Sequence, residues 1–342
     1  MAASLPLVLV LDSSKVDVEA ETLKGIARVV GLGKHFPADI PNELASQVVA
    51  CIVWHTIDVD AELLNRMVKC KAVVRTGAGF DRIDVKTAGS LGIAVCNTPA
   101  YGTEEVADSA MSLILNLYRW TLWLEREIAK GKEFHGISDV IEVATGARRI
   151  RGKTLGLIGI GAIGTALALR AKAFGFDVAF YDPYVSDGVH KSIGIRQVET
   201  LEELFNMSDC LSLHCPLVPG TKQLLNKKTL QQVRDGVFIV NTSRGGLIDE
   251  VALAEALKSG KVGAAALDVQ ETEPSTYATG PLKGAPNLIL TPHSGWYSKE
   301  AVIESRETAA KVVAAALKAH SAEGLRNFVN KRDFVLNESR WK

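Results

Sequence analysis

The chain has no excess of charge of either sign. Its 39 lysines and arginines balance its 39 aspartates and glutamates over 342 residues. Nucleic acids and anionic membranes both select basic protein surfaces. The composition therefore disfavours nucleic acid and membrane as direct partners.

Long apolar runs are missing as well. No stretch reaches the roughly 18 consecutive apolar residues of a transmembrane helix. The apolar segment 5–11 lacks the basic flank and the small-residue cleavage site of a secretion signal. It favours a first β-strand instead.

Cysteines are few and odd in number, and no Cys-x-x-Cys pair occurs. This usage is typical of reduced thiols, so it favours a cytoplasmic location with the nucleus as a second compartment. We expect no metal site. The cysteines are Cys51, Cys70, Cys96, Cys210 and Cys215.

Short apolar runs alternate with helical patterns along most of the chain, which predicts an α/β fold with parallel sheets. Two such series predict two doubly wound, Rossmann-like or flavodoxin-like domains. We expect a discontinuous substrate-binding domain over 1–98 and 305–342, and a nucleotide-binding domain over 99–304. The predicted strands are 5–11, 48–53, 72–75, 93–96, 154–158, 178–181, 210–213, 236–240, 264–267 and 288–290, and the predicted helices are 18–30, 61–69, 85–91, 162–174 and 300–317.

The segment 103–130 predicts one long helix that is apolar over much of its surface. Such a helix is buried on more than one side. We interpret it as a bridge between the domains and as a dimerisation surface. A plain buried helix is the alternative.

A glycine-rich turn, G-I-G-A-I-G, follows the predicted strand 154–158 and opens a helix. Gly159 allows the tight turn, Gly161 lets the backbone approach a pyrophosphate, and Gly164 lets helix and strand pack closely. Asp182 ends the next strand, where a carboxylate accepts hydrogen bonds from ribose hydroxyls and repels a 2′-phosphate. This context predicts NAD(H) binding.

Three residues beyond this turn are the candidate catalytic set: Arg244 in N-T-S-R-G-G, Glu273 in E-T-E-P and His293 in P-H-S-G-W. A guanidinium holds a substrate carboxylate through two parallel hydrogen bonds. An imidazole donates a proton near neutral pH, and a carboxylate orients it. The set fits hydride transfer to a 2-keto acid. His214 is a rival proton donor.

The first domain carries a second group of candidates. In R-T-G-A-G-F-D, the backbone N–H groups of Gly77 and Gly79 form a small anion-binding nest, next to Ala78 and the positive charge of Arg75. We expect this loop to close on the substrate carboxylate. His55, in W-H-T-I, is expected to line the cleft.

Together these motifs resemble the D-isomer-specific 2-hydroxyacid dehydrogenase family, with S-D-C-L-S-L-H-C-P-L, F-I-V-N-T-S-R-G-G-L-I-D-E and A-A-L-D-V as further matching segments. The resemblance implies NAD(H)-dependent reduction of 2-keto acids by Arg244, Glu273 and His293 in a homodimer. It also implies that the active site lies in the cleft between the two domains. The residues it assigns to the cofactor, besides the glycine turn and Asp182, are Ala162, Ile163, Cys215, Pro216, Thr221, Thr242, Ser243, Arg244, Asp268, His293 and Trp296.

Within the family the chain is most similar to a subgroup of NADH-binding transcriptional corepressors. Trp296 carries much of this resemblance, because that subgroup has a Trp three residues past the catalytic His as a wall of the substrate pocket. The subgroup favours 4-methylthio-2-oxobutyrate. Ser294 and Gly295 depart from the two alanines usual there.

Two alternatives to a 2-keto acid reductase of this subgroup stay open. One is an NAD(H)-regulated corepressor scaffold with little activity that binds peptide motifs of protein partners. The other is a glyoxylate or hydroxypyruvate reductase, which the crowding by Trp296 disfavours.

Overall fold

The computed structural model describes residues 5–33, 39–54 and 56–341. The chain divides into two compact units. The first consists of Met1–Gly102 with Ser298–Lys342, and the second is Thr103–Tyr297. The predicted boundaries lay at 98/99 and 304/305.

The strands of both units are short, and most of them are buried at the majority of their positions. They are β1 (Leu7–Val10), β2 (Arg28–Gly31), β3 (Val48–Val53), β4 (Ala72–Arg75), β5 (Ala94–Asn97), β6 (Thr154–Ile158), β7 (Asp177–Tyr181), β8 (Arg196–Gln197), β9 (Cys210–Leu213), β10 (Val237–Asn241), β11 (Val262–Leu267) and β12 (Leu288–Leu290).

The helices alternate with these strands. They are α1 (Asp17–Thr22), α2 (Asn42–Ala45), α3 (Ala61–Arg66), α4 (Val85–Ser90), α5 (Thr103–Arg119), α6 (Thr121–Ala129), α7 (Ile137–Val143), α8 (Ala162–Ala173), α9 (Val189–Ile193), α10 (Leu201–Met207), α11 (Lys227–Gln232), α12 (Glu250–Ser259), α13 (Lys299–Lys318) and α14 (Glu338–Trp341). Within the described ranges, none of them is both long and apolar enough to cross a membrane.

The first unit is a five-stranded parallel sheet in the order β2-β1-β3-β4-β5. Its central strands are apolar at nearly every position because helices cover both faces. The strand order reverses between β1 and β3. Ligands of open α/β sheets bind at such a switch point, outside the carboxyl ends of the strands.

The second unit is a seven-stranded parallel sheet in the order β12-β11-β10-β9-β6-β7-β8. The order reverses between β6 and β9, so the predicted glycine turn after β6 stands at the switch point. Every strand named in the sequence analysis is present, with ends that shift by no more than two residues. The α/β prediction with two parallel sheets is confirmed.

The predicted helix 18–30 is wrong in its second half. Helix α1 ends at Thr22, and the chain turns through Gly25, which has a φ of +73°. The residues Arg28–Gly31 then form β2, whose backbone pairs in parallel with β1. The run Arg-Val-Val extends because its β-branched side chains fit a pleated surface better than a helix.

The long helix predicted over 103–130 is two helices. Trp120, between α5 and α6, adopts a left-handed backbone with a φ of +61°. Its ring is buried, stacks on Trp123 at 4.0 Å, and fills the space where a Cβ on Gly146 would lie. This tertiary packing overrides the helical periodicity. Helix α5 has seven buried residues among its 17, whereas α6 has none.

An ion pair links α1 to α13 inside the first unit. Nε and Nη2 of Arg306 donate to the two carboxylate oxygens of Glu19 at 2.9 and 2.6 Å, and Nη2 also donates to Asp17 at 2.9 Å. Glu19 is fully buried and Arg306 is 8% exposed. Removing one member of such a pair leaves the other charge uncompensated.

We therefore expect Arg306→Ala to lower the free energy of unfolding by about 3–5 kcal/mol, the usual cost of an orphaned buried charge. Lys311→Ala is the control, because it breaks the exposed pair with Glu307 on the same helix, which is worth about 1 kcal/mol or less. Urea denaturation followed by circular dichroism measures both. Equal losses in the two variants would contradict this account.

Candidate active site

The glycine turn directly continues β6. Gly159 has a φ of +95°, and a Cβ there would lie 2.8 Å from the carbonyl carbon of His214, which follows β9. A Cβ on Gly164 would lie 2.5 Å from the Gly159 oxygen, whereas Gly161 has open space around it. Gly159 and Gly164 thus serve close packing, and Gly161 leaves room for a ligand to approach the backbone.

The start of α8 is open. Ala162 is exposed and Ile163 is half-buried, so the first backbone N–H groups of this 12-residue helix are accessible to an anion. Asp182 lies just after β7. Its Oδ2 accepts the Ile160 N–H at 3.0 Å and its Oδ1 accepts the Tyr184 N–H at 2.9 Å. The carboxylate therefore also shapes the glycine turn, a role that spacing alone does not predict.

The segment after β9 forms the next part of this edge. The oxygens of Cys215 and Pro216 accept hydrogen bonds from Ser243 Oγ at 2.7 Å and from Thr221 Oγ1 at 2.6 Å. Burial raises the pKa of the Cys215 thiol to about 11, so it stays protonated. The segment is thus held from two sides by hydroxyl groups.

His214 does not suit a proton donor. Its Nε2 lies 2.8 Å from the hydroxyl of the fully buried Ser212. Desolvation lowers the pKa of its imidazole to about 4, so the ring is neutral at pH 7. Its contact with Gly159 indicates a packing role below the turn.

The turn after β10 is organised by Asn241. Its Nδ2 donates to the Arg244 oxygen at 2.8 Å and its Oδ1 accepts the Ser243 N–H at 3.0 Å. Nη1 of Arg244 donates to the Ser243 oxygen at 2.7 Å. In this turn Thr242 Oγ1 is buried, and no partner for it exists among the described residues.

Two of the three candidate catalytic side chains meet directly. Nδ1 of His293 lies 2.9 Å from Oε2 of Glu273, and about a quarter of the imidazole and 30% of the carboxylate side chain are exposed. Glu273 follows β11 and His293 follows β12, whereas Arg244 follows β10. The three residues therefore come from the carboxyl ends of neighbouring strands.

Asp268 builds the loop of His293. Its carboxylate accepts hydrogen bonds from Thr291 Oγ1 and from the N–H groups of Ser294 and Gly295, at 2.5, 3.0 and 2.8 Å. Its carbonyl accepts the His293 N–H at 2.8 Å. These bonds hold His293 at a φ of +53°, which a non-glycine residue adopts only under such constraint.

Trp296 is fixed on the same loop. Its Nε1 donates to the His293 oxygen at 2.8 Å, and its ring contacts Tyr297 edge-on at 5.9 Å. The indole is half-buried. The indole is therefore held against the backbone of the His293 loop, and its role as a wall of the substrate pocket stays a prediction.

The loop of the first unit differs from the predicted nest. Gly77 is buried and its N–H donates to Thr98 Oγ1 at 2.6 Å, so it is not open to an anion. Nη1 of Arg75 donates to the neighbouring Thr76 oxygen. Ala78 is exposed, and Gly79 is half-buried. The prediction is therefore wrong for Gly77, because Thr98, distant in sequence, takes its N–H group, whereas the part that concerns Gly79 stays a prediction.

His55 lies outside the described residues. Its neighbours Trp54 and Thr56 are both held by Asp12, whose carboxylate accepts their N–H groups at 2.8 and 3.3 Å. Asp12 follows β1, at the switch point of the first sheet. Sequence reasoning missed it, although an acid after a first strand is a usable signal.

The second unit suits a dinucleotide. Gly161 leaves space beside an open helix N-terminus, Asp182 offers a carboxylate at the end of β7, and Thr242 offers a buried hydroxyl in need of a partner. In the ranges that the structure covers, no three His, Cys, Asp or Glu side chains group as metal ligands.

Known proteins are similar to this chain in sequence and in fold. The family profile "D-isomer specific 2-hydroxyacid dehydrogenase, NAD binding domain" matches residues 111–295. C-terminal-binding protein 1 of Caenorhabditis elegans is 40% identical over 99% of this chain and 47% of its own length. D-3-phosphoglycerate dehydrogenase of Methanocaldococcus jannaschii is 38% identical over 91% of this chain and 56% of its own length.

The chain thus spans about half the length of these curated relatives. Among solved structures, D-lactate dehydrogenase of Aquifex aeolicus, complexed with NAD and lactic acid, is 30% identical with a TM-score of 0.80, covering 91% of this chain and 95% of that one. Since the profile matches more than half of its residues, the chain belongs to the D-isomer-specific 2-hydroxyacid dehydrogenase family, and its second unit is an NAD-binding domain.

Proposed function

We propose that the protein reduces a 2-keto acid to the D-2-hydroxy acid with NADH. The observation that carries this proposal is the 2.9 Å hydrogen bond between Glu273 and His293. It lies at the sheet edge where Arg244 follows a neighbouring strand. A cation, an imidazole and its carboxylate partner are the groups that carbonyl reduction requires of the protein.

His293 is the proton donor in this proposal. Glu273 engages Nδ1, which leaves Nε2 as the nitrogen that protonates the carbonyl oxygen in reduction and takes the proton back in oxidation. The carboxylate also sets the tautomer and the orientation of the ring. The hydrogen bonds that Asp268 accepts from this loop keep the backbone of His293 in place.

Arg244 is the substrate anchor. A guanidinium presents two parallel N–H groups to a carboxylate, and it also polarises a neighbouring keto oxygen. The Asn241 bond to the Arg244 oxygen fixes the backbone from which the side chain extends. NADH, when bound, supplies the hydride.

Asp182 favours NADH over NADPH. Its carboxylate already accepts two backbone N–H groups, which hold it in place after β7. A 2′-phosphate would meet this charge, whereas ribose hydroxyls would donate to its remaining lone pairs.

Trp296 is the side-chain wall of the substrate pocket in this proposal. Its Nε1 bond to the His293 oxygen holds the indole in one orientation. Thioethers make favourable contacts with aromatic rings, which fits 4-methylthio-2-oxobutyrate. Glyoxylate and hydroxypyruvate lack a thioether, so the missing contact with the indole, and not crowding by Trp296, disfavours them in this proposal.

Turnover of a panel of 2-keto acids with NADH or NADPH tests these roles. We expect NADH oxidation, fastest with 4-methylthio-2-oxobutyrate, and His293→Gln should lower kcat by about 10²–10⁴-fold, the usual worth of positioned acid–base catalysis. His135→Gln is the matched control, because His135 forms an exposed pair with Glu133 at 3.2 Å and should keep full activity. Near-normal turnover by His293→Gln would refute the role of this imidazole.

A homodimer is part of the proposal. Helices α6 and α7 have no buried residues, and Ile128, Ile137 and Ile141 are 62%, 79% and 63% exposed. Monomeric proteins rarely leave such an apolar surface in water. We propose that a second copy of the chain covers it.

Ile137→Asp combined with Ile141→Asp should convert a dimer to a monomer, because each charge would have to be desolvated in the interface. Size-exclusion chromatography with light scattering gives the mass. Val251→Asp, at a 55% exposed apolar position on α12, is the control and should leave the dimer intact. A monomeric unmodified protein would rule out the homodimer.

A corepressor scaffold is the second candidate function, favoured by the 40% identity to C-terminal-binding protein 1 over 99% of the chain. Strand β2 also stands at the edge of the first sheet, paired with β1 on one side. Edge strands bind extended peptides through backbone hydrogen bonds. Such a scaffold would act in the nucleus as well as the cytoplasm.

Capture of the protein by an immobilised Pro-x-Asp-Leu-Ser-type peptide tests this candidate. A scaffold should bind this peptide but not a variant peptide in which the Leu is replaced by Arg. The amount of protein captured should rise with NADH if the cofactor and the peptide bind the same conformation of the protein. Equal capture by both peptides, or by neither, would exclude the scaffold function.

A further inference from the structure

A buried carboxylate that the proposed chemistry does not use lies beside the loop of Glu273. Glu250 is the first residue of α12 and is 5% exposed. Its Oε1 accepts the N–H of Glu271 at 2.8 Å. This bond joins the start of α12 to the loop that follows β11.

The contact between helix and loop is reciprocal. Oε2 of Glu271 makes a long contact of 3.5 Å with the N–H of Glu250, and Oε1 of Glu271 accepts a hydrogen bond from Gln223 at 3.2 Å. Burial raises the pKa of Glu250, although its bond from the Glu271 N–H opposes this shift. Burial of a carboxylate is costly unless hydrogen bonds compensate for the lost water, and the Glu271 N–H supplies one such bond.

The backbone that follows Arg244 also packs against the loop that contains Gln270 and Glu271. A Cβ on Gly245 would lie 1.9 Å from the carbonyl carbon and oxygen of Gln270. The backbone next to Arg244 thus touches the backbone next to Glu271. The loop is held between this segment and the start of α12.

Hydrogen bonds connect the backbone of this loop to Glu273 and His293, the proposed catalytic pair. The N–H of Gln270 donates to Oε1 of Glu273 at 3.3 Å, and Oε2 of the same carboxylate meets His293. The Gln270 side chain is fixed as well, since its Nε2 donates to the Leu267 oxygen at 3.0 Å. A shift of Glu271 would therefore move both Glu273 and the surface on which Gly245 rests.

We propose that Glu250 is a positioning residue, whose bond to the Glu271 N–H holds the 270–273 loop so that Glu273 meets His293 and the Arg244 backbone stays in place. This inference rests on the proposed roles of Arg244, Glu273 and His293. Glu250 touches neither the imidazole nor the guanidinium in this account; it acts through the loop.

A purely structural role makes a different prediction. An acid in the first turn of α12 stabilises the helix through its dipole, and that effect depends on charge. Holding the loop depends on an acceptor oxygen at the correct distance. Glu250→Gln keeps that oxygen and loses the charge, whereas Glu250→Asp keeps the charge and withdraws the oxygen.

The experiment compares Glu250→Ala, Glu250→Gln and Glu250→Asp in the full chain, with Glu255→Ala as the control that removes an exposed carboxylate from the same helix. We expect Ala and Asp to lower kcat by roughly 10–100-fold, as a displacement of about 1 Å at a catalytic group does. Gln and the control should stay within about twofold. The Kd for NADH, measured by fluorescence titration, should change less than about threefold in every variant.

Hydrogen–deuterium exchange supplies a readout besides activity. Amides of the 268–274 segment should exchange faster in Glu250→Ala and Glu250→Asp, and at the unmodified rate in Glu250→Gln. If Gln damages kcat and exchange as much as Ala does, or if Ala changes neither, the proposal is wrong. If the unmodified protein turns over no 2-keto acid, the proposed function fails, and exchange around Glu271 still decides whether Glu250 holds the loop.

Discussion

The hydrogen bond between Glu273 and His293 is the interaction on which the rest of the site depends. The two residues lie 20 positions apart and meet because β11 and β12 are parallel neighbours that end at one edge of the sheet. Arg244 reaches the same edge from β10. Parallel pairing thus brings three separate segments of sequence to one edge of the sheet.

Buried carboxylates support that edge. Asp268 gathers Thr291, Ser294 and Gly295 around the loop of His293, and Glu250 holds the loop of Glu273. Each accepts backbone N–H groups that have no partner in a helix or strand. Buried polar groups hold a rigid geometry when all of their hydrogen bonds are made. The proposed proton donor requires such a fixed position.

Features that depend on residues close together in the sequence could be predicted from it. The glycine turn, the strand ends and the order Arg, Glu, His depend on local residue types and on a parallel sheet. Features that depend on contacts with residues distant in the sequence could not be predicted in this way. Trp120 breaks a helix because of Gly146, Gly77 loses its free N–H to Thr98, and Arg28–Gly31 becomes a strand because β1 is beside it. Glu250 likewise looks like an ordinary first-turn acid until its contact with Glu271 is known.

The decisive measurement for the proposed reduction is deuterium transfer to a 2-keto acid from NADH that carries deuterium at both positions of nicotinamide C4. With 4-methylthio-2-oxobutyrate as substrate, we expect a D-2-hydroxy acid that carries one deuterium at C2, and far less of it from His293→Gln. An unlabelled or L-configured product, or label transfer that does not depend on His293, would contradict this expectation.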